Sequence, residues 1–305
     1  MGHYFGHGKL LLSGEYVVLD GAKAIALPTK AGQSMTVRYE RSFDPKLYWA
    51  SKDIDGNTWF QTQFEFWNFD LRPGEKSPEA VFLQKLLRGI RNQNQHFLRE
   101  EMNVYVETNL GFPKEWGLGS SSTLIYNLAQ WGYVSPFELL FKTSPGSGYD
   151  IACAQSNGPI LYKNDKEGPI YSPVIFSPSF KDSLYFIYRG NKQNTPKEIS
   201  TYRALNKLKL PDTIKEISSI TNQLLNSNDG KDFCFLIREH ENILAKLLNR
   251  SKVKDESFSD FDGEIKSLGA WGGDFILAYS ENSKKNVQEY FKNKGLDYCF
   301  SYEEI

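Results

Sequence analysis

The stretch Pro113-Lys-Glu-Trp-Gly-Leu-Gly-Ser-Ser-Ser122 constrains this chain more than any other. Ahead of it, Met102 to Val106 alternates apolar and polar residues as a half-buried strand does. Behind it, Leu124, Leu128 and Trp131 are spaced for one face of a helix. The segment therefore reads as strand, glycine-bearing loop and helix start. Gly117 and Gly119 accept backbone angles that other residues resist, and they let a ligand approach the main chain. Ser120, Ser121 and Ser122 would set hydroxyls and N–H groups at a helix N-terminus, where the dipole favours an anion. Serine is also a good N-cap. The loop needs partners elsewhere before it counts as a phosphate site.

The chain is long enough for two domains or one large one, at 305 residues. A formal net charge of −1 gives no argument for nucleic acid or an anionic membrane as the main partner. Any basic patch has to be local, around Lys192 to Lys197 or Lys207 to Lys215. The 40% hydrophobic and 14% aromatic content supports a substantial core. Cys153, Cys234 and Cys299 are odd in number and far apart, which fits neither a disulfide framework nor a zinc knuckle and suits a reducing compartment. Nor do His3, His7, His96 and His240 form a metal spacing. No signal peptide and no bilayer-spanning apolar run is visible, so the cytoplasm is the expected compartment.

In chain order, residues 4 to 38 read as strands with a turn, Lys9 to Leu19 holding two apolar runs broken by Ser13-Gly14-Glu15. Gly8-Lys9 resembles the end of a Walker A loop, but His3 and Leu10 stand where that motif needs a glycine and a Ser or Thr. Lys9 is then a strand-end lysine, or a point charge for a phosphate. Residues 45 to 72 alternate as an aromatic hairpin. Helices are expected from Ser77-Pro78, with Leu83, Leu86, Leu87 and Ile90 on the apolar face, and from Ser135-Pro136. The run Ser144 to Tyr162 delivers Asp150 from a glycine-flexible loop, either as a helix cap or as a proton acceptor for a substrate hydroxyl. Residues 165 to 180 read as a crossover. A strand at 184 to 188, a polar loop at 189 to 196 and a helix from Pro196 follow. Two amphipathic patterns lie within 212 to 250, with a charged outer face near Glu239 to Leu248. Lys266-Ser-Leu-Gly-Ala-Trp-Gly-Gly-Asp274 is a third glycine-bearing run. A strand (275 to 279), a helix (284 to 294) and a strand (298 to 302) close an alternating half.

Three of these runs, Lys9 to Leu19, Pro113 to Ser122 and Lys266 to Asp274, resemble in order the three motifs of the GHMP kinase superfamily. The central one matches P-x-x-x-G-L-G-S-S at every fixed position. Ser13-Gly-Glu-Tyr-Val-Val-Leu19, Gly146-Ser-Gly-Tyr-Asp150-Ile-Ala and Gly272-Gly-Asp274 are similar to runs of the phosphomevalonate and mevalonate kinase branch. Trp271 replaces a glycine of the third motif, and the Glu138 to Asp150 spacing is one residue longer than in mevalonate kinases.

The resemblance implies an α+β, two-layer architecture with a ribosomal-protein-like N-terminal domain (1–165) and a ferredoxin-like C-terminal domain (166–305). It implies an ATP- and magnesium-dependent phosphotransferase acting on a small molecule, as a monomer or homodimer. Pro113, Gly117, Leu118, Gly119, Ser120, Ser121 and Ser122 would wrap the ATP phosphates. Ser121 and Glu138 would hold the metal. Asp150 would align the attacking oxygen, with Lys9 stabilising charge. Glu15, Ser147, Gly148, Gly269, Ala270 and Gly272 would line the acceptor site; a phosphorylated acceptor would want extra cations, for which Arg189, Lys192 and Lys197 are the candidates. The acceptor expected is mevalonate or phosphomevalonate. The alternatives are a diphosphomevalonate decarboxylase, a kinase for a sugar or homoserine, and a non-catalytic binder.

Overall fold

The computed structural model describes residues 1–190, 195–205, 209–269, 271 and 273–305. It divides into two compact units with interleaved segments. Unit 1 holds 1–8, 31–114 and 118–155, and unit 2 holds 9–30, 115–117 and 156–305.

In unit 1, β3 (Lys46–Lys52) and β4 (Thr58–Glu65) form the expected hairpin. Asp53 Oδ1 closes its turn by accepting from Asp55 N at 3.0 Å and Asn57 N at 2.8 Å. β3 runs parallel to β5 (Met102–Leu110), and β5 pairs antiparallel with residues 33–41 of the long strand β2 (Lys23–Arg41). Strand β1 (Gly2–Leu11) also pairs with β2. Alternation puts Met35, Val37, Leu47, Trp49, Val104 and Val106 on the buried face. Leu83, Leu86, Leu87 and Ile90 of α1 (Pro78–Gln93) pack against it, with Ile125, Leu128 and Trp131 of α2 (Ser120–Gly132). Helix α1 begins as its sequence specifies: Ser77 Oγ accepts from Ala80 N at 3.3 Å, with Pro78 in the first turn. α3 (Pro136–Thr143) repeats the device with Ser135, and α4 (Tyr149–Ala154) completes the layer.

In unit 2, β6 (Ile160–Asp165) pairs with residues 23–26 of β2 and with β7 (Gly168–Pro173). The expected crossover at 165–180 therefore contains a strand: Gly168, at φ 124°, turns the chain back, and β7 lies at the sheet edge, where prolines are tolerated. A second sheet has the antiparallel order β11-β8-β10-β9, from β8 (Leu184–Tyr188), β9 (Glu264–Leu268), β10 (Phe275–Tyr279) and β11 (Cys299–Ser301). In sequence order that is 4-1-3-2, the ferredoxin-like pattern. α5 (Thr195–Arg203), α6 (Leu210–Asn226), α7 (Gly230–Leu248) and α8 (Val253–Ser257) intervene between β8 and β9, and α9 (Lys284–Asn293) between β10 and β11.

Three further expectations are corrected. The apolar run after Glu15 is a 3-10 turn, Val17–Asp20, entered through Tyr16 at φ 61°. The first three residues of the third run, Lys266 to Leu268, where no strand is expected, belong to β9 and are wholly buried. On α7 the buried stripe is Phe233, Leu236, Ile237, His240, Glu241, Leu244 and Leu248, while Phe235 is 57% exposed. The 3.6-residue period, counted from Phe233, carries His240 and Glu241 inward with the apolar residues. Among the described residues no helix is long and apolar enough to cross a membrane.

Candidate active site

The central loop has the predicted local form. β5 ends at Leu110, residues 114–116 make one 3-10 turn, and α2 starts at Ser120. Gly117 lies at φ 67° and Gly119, the N-cap of α2, at φ 92°. No side chain caps this helix and its first turn carries no acidic residue. Its first N–H groups, which a helix cannot satisfy internally, have no side-chain cap, the arrangement that suits an anion. The three serines diverge. Ser122 is buried and donates its hydroxyl to Gly119 O at 2.9 Å, Ser120 is half-buried, and Ser121 alone is exposed. Pro113 is half-buried at the loop entry and Leu118 is buried. The neighbouring Lys114 lies in unit 1, its Nζ 3.6 Å above the Trp59 ring and 3.7 Å from Glu79.

The loop tip, 115–117, belongs to unit 2. A Cβ on Gly117 would stand 1.7 Å from Asp274 Oδ2, so only glycine allows the end of the third run to lie so close. Arg189, at the end of β8, donates its N–H to Asp274 O at 2.8 Å. Its guanidinium lies over the Phe258 ring at 5.8 Å, and burial lowers its pKa. Gly269, at φ 70°, follows β9. Lys192, Ala270 and Gly272 lie outside the described residues.

Asp150 occupies the first turn of α4, whose N-cap Gly148 has φ 90°. Its Oδ1 accepts from Ile151 N at 3.0 Å, and the residue is half-buried beside buried Ser147. On α3, Glu138 is exposed and forms an ion pair with Lys142. Lys9 is half-buried near the end of β1. No described group of three or more His, Cys, Asp or Glu side chains could hold a metal ion by itself.

Sequence reasoning missed a buried charge cluster in unit 2. Glu15 is only 1% exposed and pairs with Lys266, itself fully buried. His240 Nε2 accepts the Gly14 N–H at 3.0 Å and faces Glu15 Oε2 at 3.3 Å. An imidazole that accepts there is neutral, and burial, then Lys266, hold its pKa well below the ordinary range. Glu241 Oε1 lies 3.9 Å from Lys266 Nζ. One cation thus faces two carboxyls in a dry site, and one proton stays. Burial, with Glu15 adding to it against Lys266, pushes Glu241 up to about 8. Burial also raises Glu15, against the pull of Lys266 and the Glu15 and Gly269 N–H groups. Glu15 therefore ties the first run to the third. The available signal was the helical spacing of His240 and Glu241 with Phe233, Ile237 and Leu244.

No protein-family model and no curated protein sequence matches the chain. Solved structures do, and they give it the fold of the GHMP kinases. Phosphomevalonate kinase from Streptococcus pneumoniae, solved with phosphomevalonate and AMPPNP, is 16% identical with a TM-score of 0.73, over 99% of this chain and 100% of that one. Mevalonate kinase from Methanococcus jannaschii is 18% identical with a TM-score of 0.70, over 98% and 96%. Galactokinase from Lactococcus lactis, complexed with galactose, is 13% identical with a TM-score of 0.63, over 95% and 87%.

Proposed function

We propose that this protein is an ATP-dependent kinase that phosphorylates mevalonate or phosphomevalonate. The observation that carries the reading is the loop 113–122: two left-handed glycines, an uncapped helix N-terminus and one exposed first-turn hydroxyl, in a chain with the GHMP kinase fold. The uncapped N–H groups of α2 fit the phosphates of ATP, and the Ser121 hydroxyl fits a hard cation such as magnesium, which prefers oxygen ligands. Glu138 is proposed as the second ligand and would have to leave Lys142 to serve. Magnesium, when bound, neutralises charge on the phosphates.

Phosphoryl transfer asks for positioning and charge stabilisation more than covalent help. The acceptor oxygen attacks the γ-phosphorus, a hydroxyl acceptor passes its proton to the Asp150 carboxylate, and the bond to the bridging oxygen breaks to release ADP. A phosphate acceptor attacks through an oxygen already ionised and needs only to be aligned. Lys9 supplies positive charge for the transferring group. Ser147, Gly148 and Gly269 are proposed to line the acceptor. Arg189 is proposed for an acceptor phosphate, and its guanidinium would have to turn from the Phe258 ring to serve. Glu15 contributes by holding Gly269.

The test is ADP release from Mg-ATP over mevalonate, phosphomevalonate, diphosphomevalonate, homoserine and galactose. Turnover on either of the first two is expected. Carbon dioxide release from diphosphomevalonate would make the protein a decarboxylase, and turnover on homoserine or galactose alone would reassign the acceptor. Silence on all five together with failure to bind Mg-ATP would overturn the kinase reading.

A further inference from the structure

Trp116 precedes the first glycine of the loop, and its indole has a socket of its own in unit 2. The ring centroids of Tyr298, Phe300, Tyr188 and Phe275 lie 5.1, 5.3, 5.4 and 5.9 Å away. Tyr298 and Phe275 meet it edge-on, at 61° and 76°. Such geometries add to the burial of apolar area. The four rings come from β8, β10, β11 and the segment before β11. They lie on the sheet face opposite the core of Ile187, Ile276, Val287 and Phe291.

One hydrogen bond and one close approach register the backbone beside the indole. Tyr188 donates its hydroxyl to Glu115 O at 3.2 Å, and Asp274 Oδ2 occupies the space that a Cβ on Gly117 would fill. Tyr188 thus meets both residue 115 and residue 116, and Asp274 lies close against Gly117. The resemblance quoted for the loop leaves position 116 open, as one of its x positions.

We propose that Trp116 is a positioning residue: its aromatic socket sets the backbone at Gly117 and so holds the phosphate loop in its anion-accepting form before nucleotide arrives. The nucleotide consequence rests on the kinase reading, whereas the loop's order in the free protein does not. Pre-ordering a loop removes an entropy cost that binding would otherwise bear.

The experiment is hydrogen exchange over the peptide 113–123 in free protein, followed by titration with Mg-ATP. In Trp116→Ala, exchange over that peptide is expected to rise roughly tenfold and Mg-ATP affinity to fall about tenfold, with Trp116→Phe recovering most of both. Phe291→Leu, a lesion in the core on the opposite sheet face, is the control for general destabilisation. It should lower the melting temperature and leave the loop's protection unchanged. Wild-type protection in Trp116→Ala, or equal loosening by Phe291→Leu, would overturn the proposal. If wild-type protein fails to bind Mg-ATP the kinase reading falls, and the exchange comparison still decides the role of Trp116.

Discussion

At the scale of single residues, the serines of the loop show how three identical side chains acquire different work. Ser122 turns its hydroxyl back onto Gly119 O at 2.9 Å, while Ser121 is exposed and is the one proposed to meet magnesium. Ser121→Ala should therefore weaken magnesium-dependent turnover by about tenfold or more while leaving the melting temperature unchanged. Equal activity across a magnesium titration would move the metal elsewhere. Asp150 sits in the first turn of a six-residue helix and already holds Ile151 N. Asp150→Asn keeps an oxygen for that bond and loses the proton-accepting charge. Turnover should drop by roughly two to four orders of magnitude with Mg-ATP affinity within a few-fold. Normal turnover would reduce Asp150 to a cap, the other reading its sequence allows.

At the scale of elements, the helices with local start signals were the most legible. Ser77-Pro78 and Ser135-Pro136 cap α1 and α3 as read, because a cap depends on residues a few positions apart. The strand–loop–helix around Gly117 was legible for the same reason, down to both left-handed glycines. What stayed hidden depends on partners distant in sequence. Glu15 meets Lys266 across 251 residues, and nothing local announces that a glutamate and a lysine will be buried together. Likewise, the contact of Asp274 with Gly117 appears only once the chain has folded.

The cluster on α7 has a pH signature. With Glu241 pushed up to about 8, the folded state keeps a proton that the unfolded state releases near its ordinary carboxyl pKa, so this group's contribution weakens as pH rises toward 8. His240, held low, acts oppositely below about 6.5, where the unfolded imidazole takes a proton and the buried one does not. The clear window is thus pH 6.5 to 8. There, Glu241 should make unfolding free energy fall by about 1.4 kcal/mol per pH unit, the slope of one proton. Glu241→Gln should flatten the slope in urea melts at pH 6.5, 7.2 and 8. An unchanged slope would remove Glu241 as its source.

At the scale of the whole molecule, each unit carries a core of its own, and no disulfide joins any part of either. Cys153 is buried, while Cys234 and Cys299 are half-buried with burial pushing their thiols up to about 12 and about 11. At pH 8 the thiolate fractions are about 10⁻⁴ and 10⁻³. Reaction of the native protein with iodoacetamide at pH 8 should be slower than that of urea-unfolded protein by at least a hundredfold, and reductant should leave the melting temperature unchanged. Fast labelling of the native protein would show a reactive thiol.

The interleaving of the two units has a consequence for synthesis. Residues 9–30 belong with 156–305, and Gly14 and Glu15 find His240 and Lys266 only after those residues exist. At about 5–20 residues per second, the early segment waits on the order of tens of seconds after leaving the ribosome. Unit 1 has its last residue, Gln155, well before that. Gly14 and Glu15 are therefore made long before their partners, whereas neighbouring Leu12 finds its backbone partner Ile25 almost at once.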